Sequence, residues 1–98
     1  MAKEIIWSPE ATEAFERVIT YLENNWTESE IAHFIKATEK VIEIISNQPK
    51  LYRASKRKKN IHEALITKHN LMLYKNTRSV IYIMTIWDTR QNPKKKKH

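Results

Sequence analysis

Two histidines and one arginine have the chemistry to move protons or stabilise charge on a phosphate. His62 and His69 carry imidazoles, the side chain best suited by type to passing protons. Arg90 directly follows a strand-like run, with Asp88 two residues away as an orienting partner, and can hold charge that develops in a transition state. Cations surround them in the sequence: Lys56, Arg57, Lys58 and Lys59, then Lys68, Lys75 and Arg78, then the lysines of "NPKKKKH". Among these lie Tyr74, Tyr82 and Trp87, whose rings can stack on bases. The chemistry this set suits is attack of a ribose 2′-hydroxyl on the adjacent phosphate, which needs no metal or other cofactor. Plainer readings compete: Tyr82 and Trp87 as core, isolated histidines as structural groups, lysine runs as solvated charge, and Asp88 with Arg90 as a surface pair.

Other chemistries are weakly represented. The chain has no cysteine, so it has neither a thiolate nucleophile nor thiolate metal ligands, and four histidines alone make a poor metal set. It lacks a Gly-rich phosphate loop and any nucleophile motif. The glutamates Glu4, Glu10, Glu13, Glu16 and Glu23 show no convergent spacing that would argue for paired-carboxylate catalysis.

The charge is distributed unevenly. The 98 residues carry a net +7, but residues 1–49 hold four basic and nine acidic side chains, hence −5, and residues 50–98 hold fourteen basic and two acidic, hence +12. Such a split predicts a polyanion or an acidic protein as partner for the basic half. With 41% hydrophobic and 30% charged residues the composition is that of one folded domain. Its apolar runs are too short to span a membrane and the N-terminus lacks the apolar core of a signal peptide, so a cytoplasmic location is expected.

The elements that must position these groups follow from spacing. "KEIIW" reads as a short strand, and "SPE" as a helix start with Ser8 as cap and Pro9 at the first helical position. Ala11, Phe15, Val18, Ile19 and Leu22 recur at helical spacing as far as "ENNW". Thr27 with Glu30 predicts a capping box, and a second stripe runs from Ile31 to Ile45 before "SNQP". Residues 50–60 read as an exposed basic loop or an irregular strand entry. "IHEALIT", "LMLYK" and "SVIYIMTIW" then predict an antiparallel meander, with Asn70 and Asn76 as the left-handed turn residues. The last strand is apolar on both parities, which predicts a central strand covered on both faces. The expected class is α+β: a two-helix antiparallel hairpin packed on a small, mainly antiparallel sheet of about four strands. The domain spans residues 1–93, and residues 94–98 read as a basic disordered tail.

Two stretches, "WSPEATEAFERVITYLENNWTESEIAHFIKATEKVIEIISNQPKLYRAS" and "HNLMLYKNTRSVIYIMTIWDTRQNP", resemble the RelE/ParE superfamily of toxins from bacterial type II toxin–antitoxin (plasmid stabilisation) systems. The likeness is carried by "SPEA", by Tyr21 and Trp26 at the end of the first helix, by Pro49 ending the second, by "LYK" and by "DTRQNP". It implies the fold expected above and a cognate acidic antitoxin that wraps and silences the chain in a toxin–antitoxin hetero-oligomer. It also implies one of two targets. RelE-like members cleave mRNA in the ribosomal A site without metal, using basic residues and a tyrosine or histidine. ParE-like members inhibit DNA gyrase.

"YLENNW" and "DTRQNP" lean towards the gyrase branch; the density of Lys and Arg with His62, His69 and Tyr74 leans towards the ribonuclease. Many members carry an arginine pair where this chain has "NIHEAL", so Ile61, His62 and Glu63 depart from the pattern. Arg90, Tyr74 and Lys68 or His69 are the positions the resemblance carries over. As a ribonuclease the chain would use Arg90, His62, His69 and Tyr74 in catalysis, with Lys56, Arg57, Lys58, Lys59, Lys68 and Arg78 on phosphates. A nucleic-acid-binding relative without toxicity is the alternative.

Overall fold

The computed structural model describes residues 3–52, 54 and 60–89. Strand β1 (Glu4–Trp7) leads into helices α1 (Pro9–Asn25) and α2 (Glu28–Asn47), and β2 (Ile61–Thr67), β3 (Asn70–Asn76) and β4 (Val80–Asp88) follow. The sheet order is β1-β4-β3-β2. The last three strands form the expected antiparallel meander, and β1 adds to β4 in parallel, from Glu4 opposite Val80 to Trp7 opposite Ile83. The final strand is therefore an inner one, flanked by β1 and β3.

Ser8 starts α1 as its sequence predicts: its hydroxyl accepts from the Ala11 N–H at 2.9 Å, with Pro9 at the first helical position. Thr27 occupies the N-cap of α2, but its hydroxyl makes no capping bond, so the predicted capping box does not form. The Thr27 carbonyl accepts from Glu30 and Ile31 instead, and Glu28 and Glu30 complement the helix dipole. The hairpin buries Ala11 and Ala14 of α1 and Phe34, Thr38, Val41 and Ile45 of α2. Phe15 stacks on Phe34 at 5.3 Å and meets the edge of Trp7 at 5.6 Å. Thr38 stays satisfied in this apolar layer by donating to the Phe34 carbonyl.

The sheet meets the helices through Ala64 and Ile66 of β2, Met72 and Tyr74 of β3, and Ile81, Ile83 and Ile86 of β4. The step from Ile83 to Ile86 breaks strict alternation. Tyr74 pairs with Ile83 and Leu73 with Thr85, so Met84 is an extra residue, a β-bulge. Before the bulge β4 buries odd positions and exposes Tyr82; after it, Ile86 is buried and Trp87 is exposed. This corrects the expectation of cover on both faces: β4 is apolar on both parities because the bulge exchanges which parity points inward.

A second correction concerns the turns. Asn70 and Asn76 lie at the ends of β3, and the positive φ among the described residues falls on Asn60, at 63°. Its short polar side chain tolerates that conformation, and its carbonyl accepts from the Asn76 N–H, closing the β2–β3 pairing.

The Ser8 hydroxyl also donates to the Met84 carbonyl at 2.8 Å, while the Ser8 N–H donates to the Ile83 carbonyl. One hydroxyl thus caps α1 and engages the bulge. Ser8→Ala loses both bonds and is expected to cost about 2 kcal/mol. A urea unfolding curve would show a lower midpoint with an unchanged slope; an unmoved midpoint would refute the double role.

Candidate functional site

His62 and Tyr74, both candidates for acid–base chemistry, do come together, but on the helix side of the sheet. They are directly paired across β2 and β3, with ring centroids 5.1 Å apart and 14° between planes. His62 is 9% exposed and Tyr74 0%. The Tyr74 hydroxyl donates to the Pro49 carbonyl at 2.8 Å, and His62 Nδ1 lies 2.9 Å from the Tyr52 carbonyl. The two rings hold the chain leaving α2 against the sheet. Burial, reinforced by the neighbouring Tyr52, pushes the Tyr74 phenol up to about 12, against the hydrogen bond from Tyr52 that lowers it.

The other described candidates lie elsewhere. Lys68 and His69 form the turn between β2 and β3; Arg78 is exposed in the turn between β3 and β4, a full strand length away at the opposite end of the sheet. Thr89 closes on the first of these turns, its N–H donating to the His69 carbonyl and its hydroxyl to that of Lys68. Lys56, Arg57, Lys58, Lys59 and Arg90, with the tail at 94–98, lie outside the described residues.

Among the described residues, two surfaces are open to a macromolecule. The sheet face turned away from the helices carries cross-strand neighbours Ile6, Tyr82 and Lys75 at one end, and Leu65, Leu71 and Trp87 at the other. Leu65 is 53% exposed, Trp87 44% and Tyr82 36%. The described residues of this face are mostly apolar, with Lys75 as a cation and Glu63 paired opposite Leu73. Tyr82 and Trp87 are thus presented on the surface, and their reading as core is corrected.

The second surface is a groove of about 1580 Å³ where the helical hairpin overhangs the end of β4 and the β2–β3 turn. Val18, Leu22, Phe34 and Ile86 contribute apolar walls, and Tyr21, Trp26 and Trp87 partly exposed rings. Tyr21, Trp87 and Asp88 each have interaction partners. Five carboxylates line it (Glu10, Glu13, Glu16, Glu30 and Asp88) against the cations Arg17 and Lys68. Glu10, Glu13 and Glu16 are among the glutamates whose spacing does not argue for paired-carboxylate catalysis. Their three-residue spacing keeps them on neighbouring rows of one helix, but Glu30 and Asp88 join them only through the fold.

Among the described residues no group of three or more His, Cys, Asp or Glu is placed to hold a metal ion, and no helix is long and apolar enough to cross a membrane.

The family model described as the ParE toxin of the type II toxin–antitoxin system parDE matches residues 5–93. No curated protein matches the sequence. Among solved structures, a chain of the chromosomal ParDE toxin–antitoxin system from P. aeruginosa superposes with a TM-score of 0.74 at 6% identity, over 89% of this chain and 96% of that one. A chain of the E. coli DinJ-YafQ toxin–antitoxin complex gives 0.65 at 9% identity, over 92% and 96%. The conserved hypothetical protein HP0894 from Helicobacter pylori gives 0.52 at 15%, over 90% and 96%. At these identities the structural likeness is one of fold.

The Tyr74 environment predicts a pH dependence. Because the folded state favours the neutral phenol, its contribution is complete below about pH 10, where the unfolded chain also keeps the proton. It is lost as pH rises from about 10 to about 12, by roughly 2 to 3 kcal/mol. Tyr74→Phe gives up the bond to Pro49, about 1 kcal/mol at neutral pH, and should remove most of the alkaline loss. Urea unfolding at pH 7 and pH 11 tests this; an undiminished alkaline loss in the variant would refute it.

Proposed function

The chain belongs to the ParE toxin family of type II toxin–antitoxin systems, and from that premise we propose that it arrests growth by binding DNA gyrase, without cutting RNA. The observation that carries this reading is the burial of His62 and Tyr74. Both rings are enclosed beneath the hairpin and engaged with backbone carbonyls of the 49–52 segment, out of reach of a substrate phosphate. What the chain does present, an open apolar sheet face and a groove, suits protein recognition.

A cognate antitoxin would silence it by covering such surfaces. The DinJ-YafQ structure that shares this fold is described as a toxin–antitoxin complex. An acidic antitoxin segment would be attracted to the half that carries +12, and such complementarity speeds association and disfavours wrong partners.

One observation favours a second reading, a metal-independent ribonuclease. Thr89 is tied to both Lys68 and His69, which brings a cation and an imidazole together at one turn, and Arg90 is the next residue in the sequence. In that reading Lys56, Arg57, Lys58, Lys59 and Arg78 would serve as phosphate contacts.

Induction of the protein alone in a bacterial host, with primer extension on an abundant transcript and a plasmid-supercoiling gel, separates the two. The expected result is arrested growth, altered supercoiling and intact transcripts, with arrest persisting in His69→Ala. Translation-dependent cuts with unchanged supercoiling, abolished by Arg90→Ala, would replace this reading with the ribonuclease. Normal growth with the protein folded would mark a non-toxic relative.

A further inference from the structure

The open sheet face is patterned so that it complements itself. Register fixes its outward residues in cross-strand couples on β3 and β4: Leu71 beside Trp87 at one end and Lys75 beside Tyr82 at the other, with Leu73 between them. Leu65 of β2 flanks Leu71, and Ile6 of β1 flanks Tyr82. Lys75 is exposed, Tyr82 is 36% exposed, and Trp87 presents 44% of its surface although it has an interaction partner in its own chain. A contiguous apolar patch with polar residues at its margins marks a contact surface.

Two copies of a chain most often associate about a two-fold axis, so each contact occurs twice. For two sheets packed face to face that axis runs either across the strands or along them. Across the strands, through the row of Leu73 and Glu63, it sets Glu63 over the partner's Glu63 and the Lys75 ammonium over the partner's Leu71, and both charges lose water without a counterpart. Along the strands, midway between β3 and β4, it exchanges the members of each couple. Lys75 then comes over the partner's Tyr82, where a ring face attracts an ammonium, and Leu71 over the partner's Trp87. Glu63, on the edge strand β2, stays at the rim.

We infer that two copies of this chain pair through the open sheet face about the axis along the strands, with Lys75 on the partner's Tyr82 and Leu71 on its Trp87. Four strands about 4.8 Å apart and three outward rows give a face of roughly 20 by 20 Å. Two such faces bury about 800 to 1,000 Å², an area that supports a weak, transient assembly. The +7 on each copy opposes it further, so the dimer forms only at high concentration. The pairing does not depend on the target of the toxin, but any target or antitoxin that uses this face must first separate the copies.

Sedimentation equilibrium of the full chain, from about 10 µM to about 1 mM, tests this. The expected result is a monomer–dimer equilibrium with a dissociation constant on the order of 100 µM. It should tighten as salt rises from about 50 mM to about 500 mM, because screening relieves the repulsion between the copies. Lys75→Glu sets an acid over the phenol ring, and Tyr82→Lys sets a second ammonium against Lys75. With two such contacts per dimer, each variant should weaken association about tenfold. An equal mixture of the two should recover it, since the new acid meets the new ammonium and the other contact keeps its native Lys75 and Tyr82. Amide spectra verify that each variant is folded. In the unaltered chain, a mixture of isotope-labelled and unlabelled copies should show magnetisation transfer between copies from the Tyr82 ring to the Lys75 side chain. A chain that stays monomeric throughout, a dimer that neither variant weakens, or a mixture without recovery would each overturn the inference.

Discussion

The Ser8 hydroxyl accepts from Ala11, donates to Met84, and sits on a residue whose N–H donates to Ile83, so the end of β1, the start of α1 and the middle of β4 meet in one buried side chain. The position opposite is equally particular. Met84 is the residue by which β4 exceeds its partner β3, and a bulged residue drops out of the regular ladder. The Met84 carbonyl, part-buried, takes its donor from Ser8. The parallel joining of the first strand to the last, and the placement of the helices over one face, both pass through this point.

The bulge also governs what the protein shows to its surroundings. By exchanging inward and outward positions along β4, it lets Ile81, Ile83 and Ile86 share one core while Tyr82 and Trp87 are left on the surface. The same core encloses His62 and Tyr74, whose polar atoms satisfy the carbonyls of the segment leaving α2. Groups that suit proton transfer by type are thereby spent on holding a connection. Among the described residues, the surfaces left open include an apolar sheet face and an acidic groove with aromatic borders.

Charge segregation along the chain does not translate simply into charged faces. The −5 half includes α1 and α2, and their carboxylates Glu10, Glu13, Glu16 and Glu30 collect on the groove beside Asp88, an acid of the +12 half. The described part of the basic half, by contrast, separates Lys68 from Arg78 by the length of β3. Local sequence sets the sign of each segment, but the crossing of strands and helices decides which segments face each other.

By itself the sequence determined the elements and their order. Ser8 and Pro9 mark a helix start, the stripes of α1 and α2 mark a hairpin, and three β-rich runs mark a meander, because capping and periodicity act over three or four residues. The family resemblance was legible for the same reason, in short stretches such as "SPEA" and "DTRQNP". Only the tertiary structure decided that β1 joins β4 in parallel, that Met84 is bulged, that His62 and Tyr74 are buried together, and that Glu30 and Asp88 share a groove with the carboxylates of α1. Each of these depends on contacts between residues far apart in the chain. Hydrophobic pattern cannot specify them, since an apolar run such as "VIYIMTIW" reads alike whether one face is covered or two.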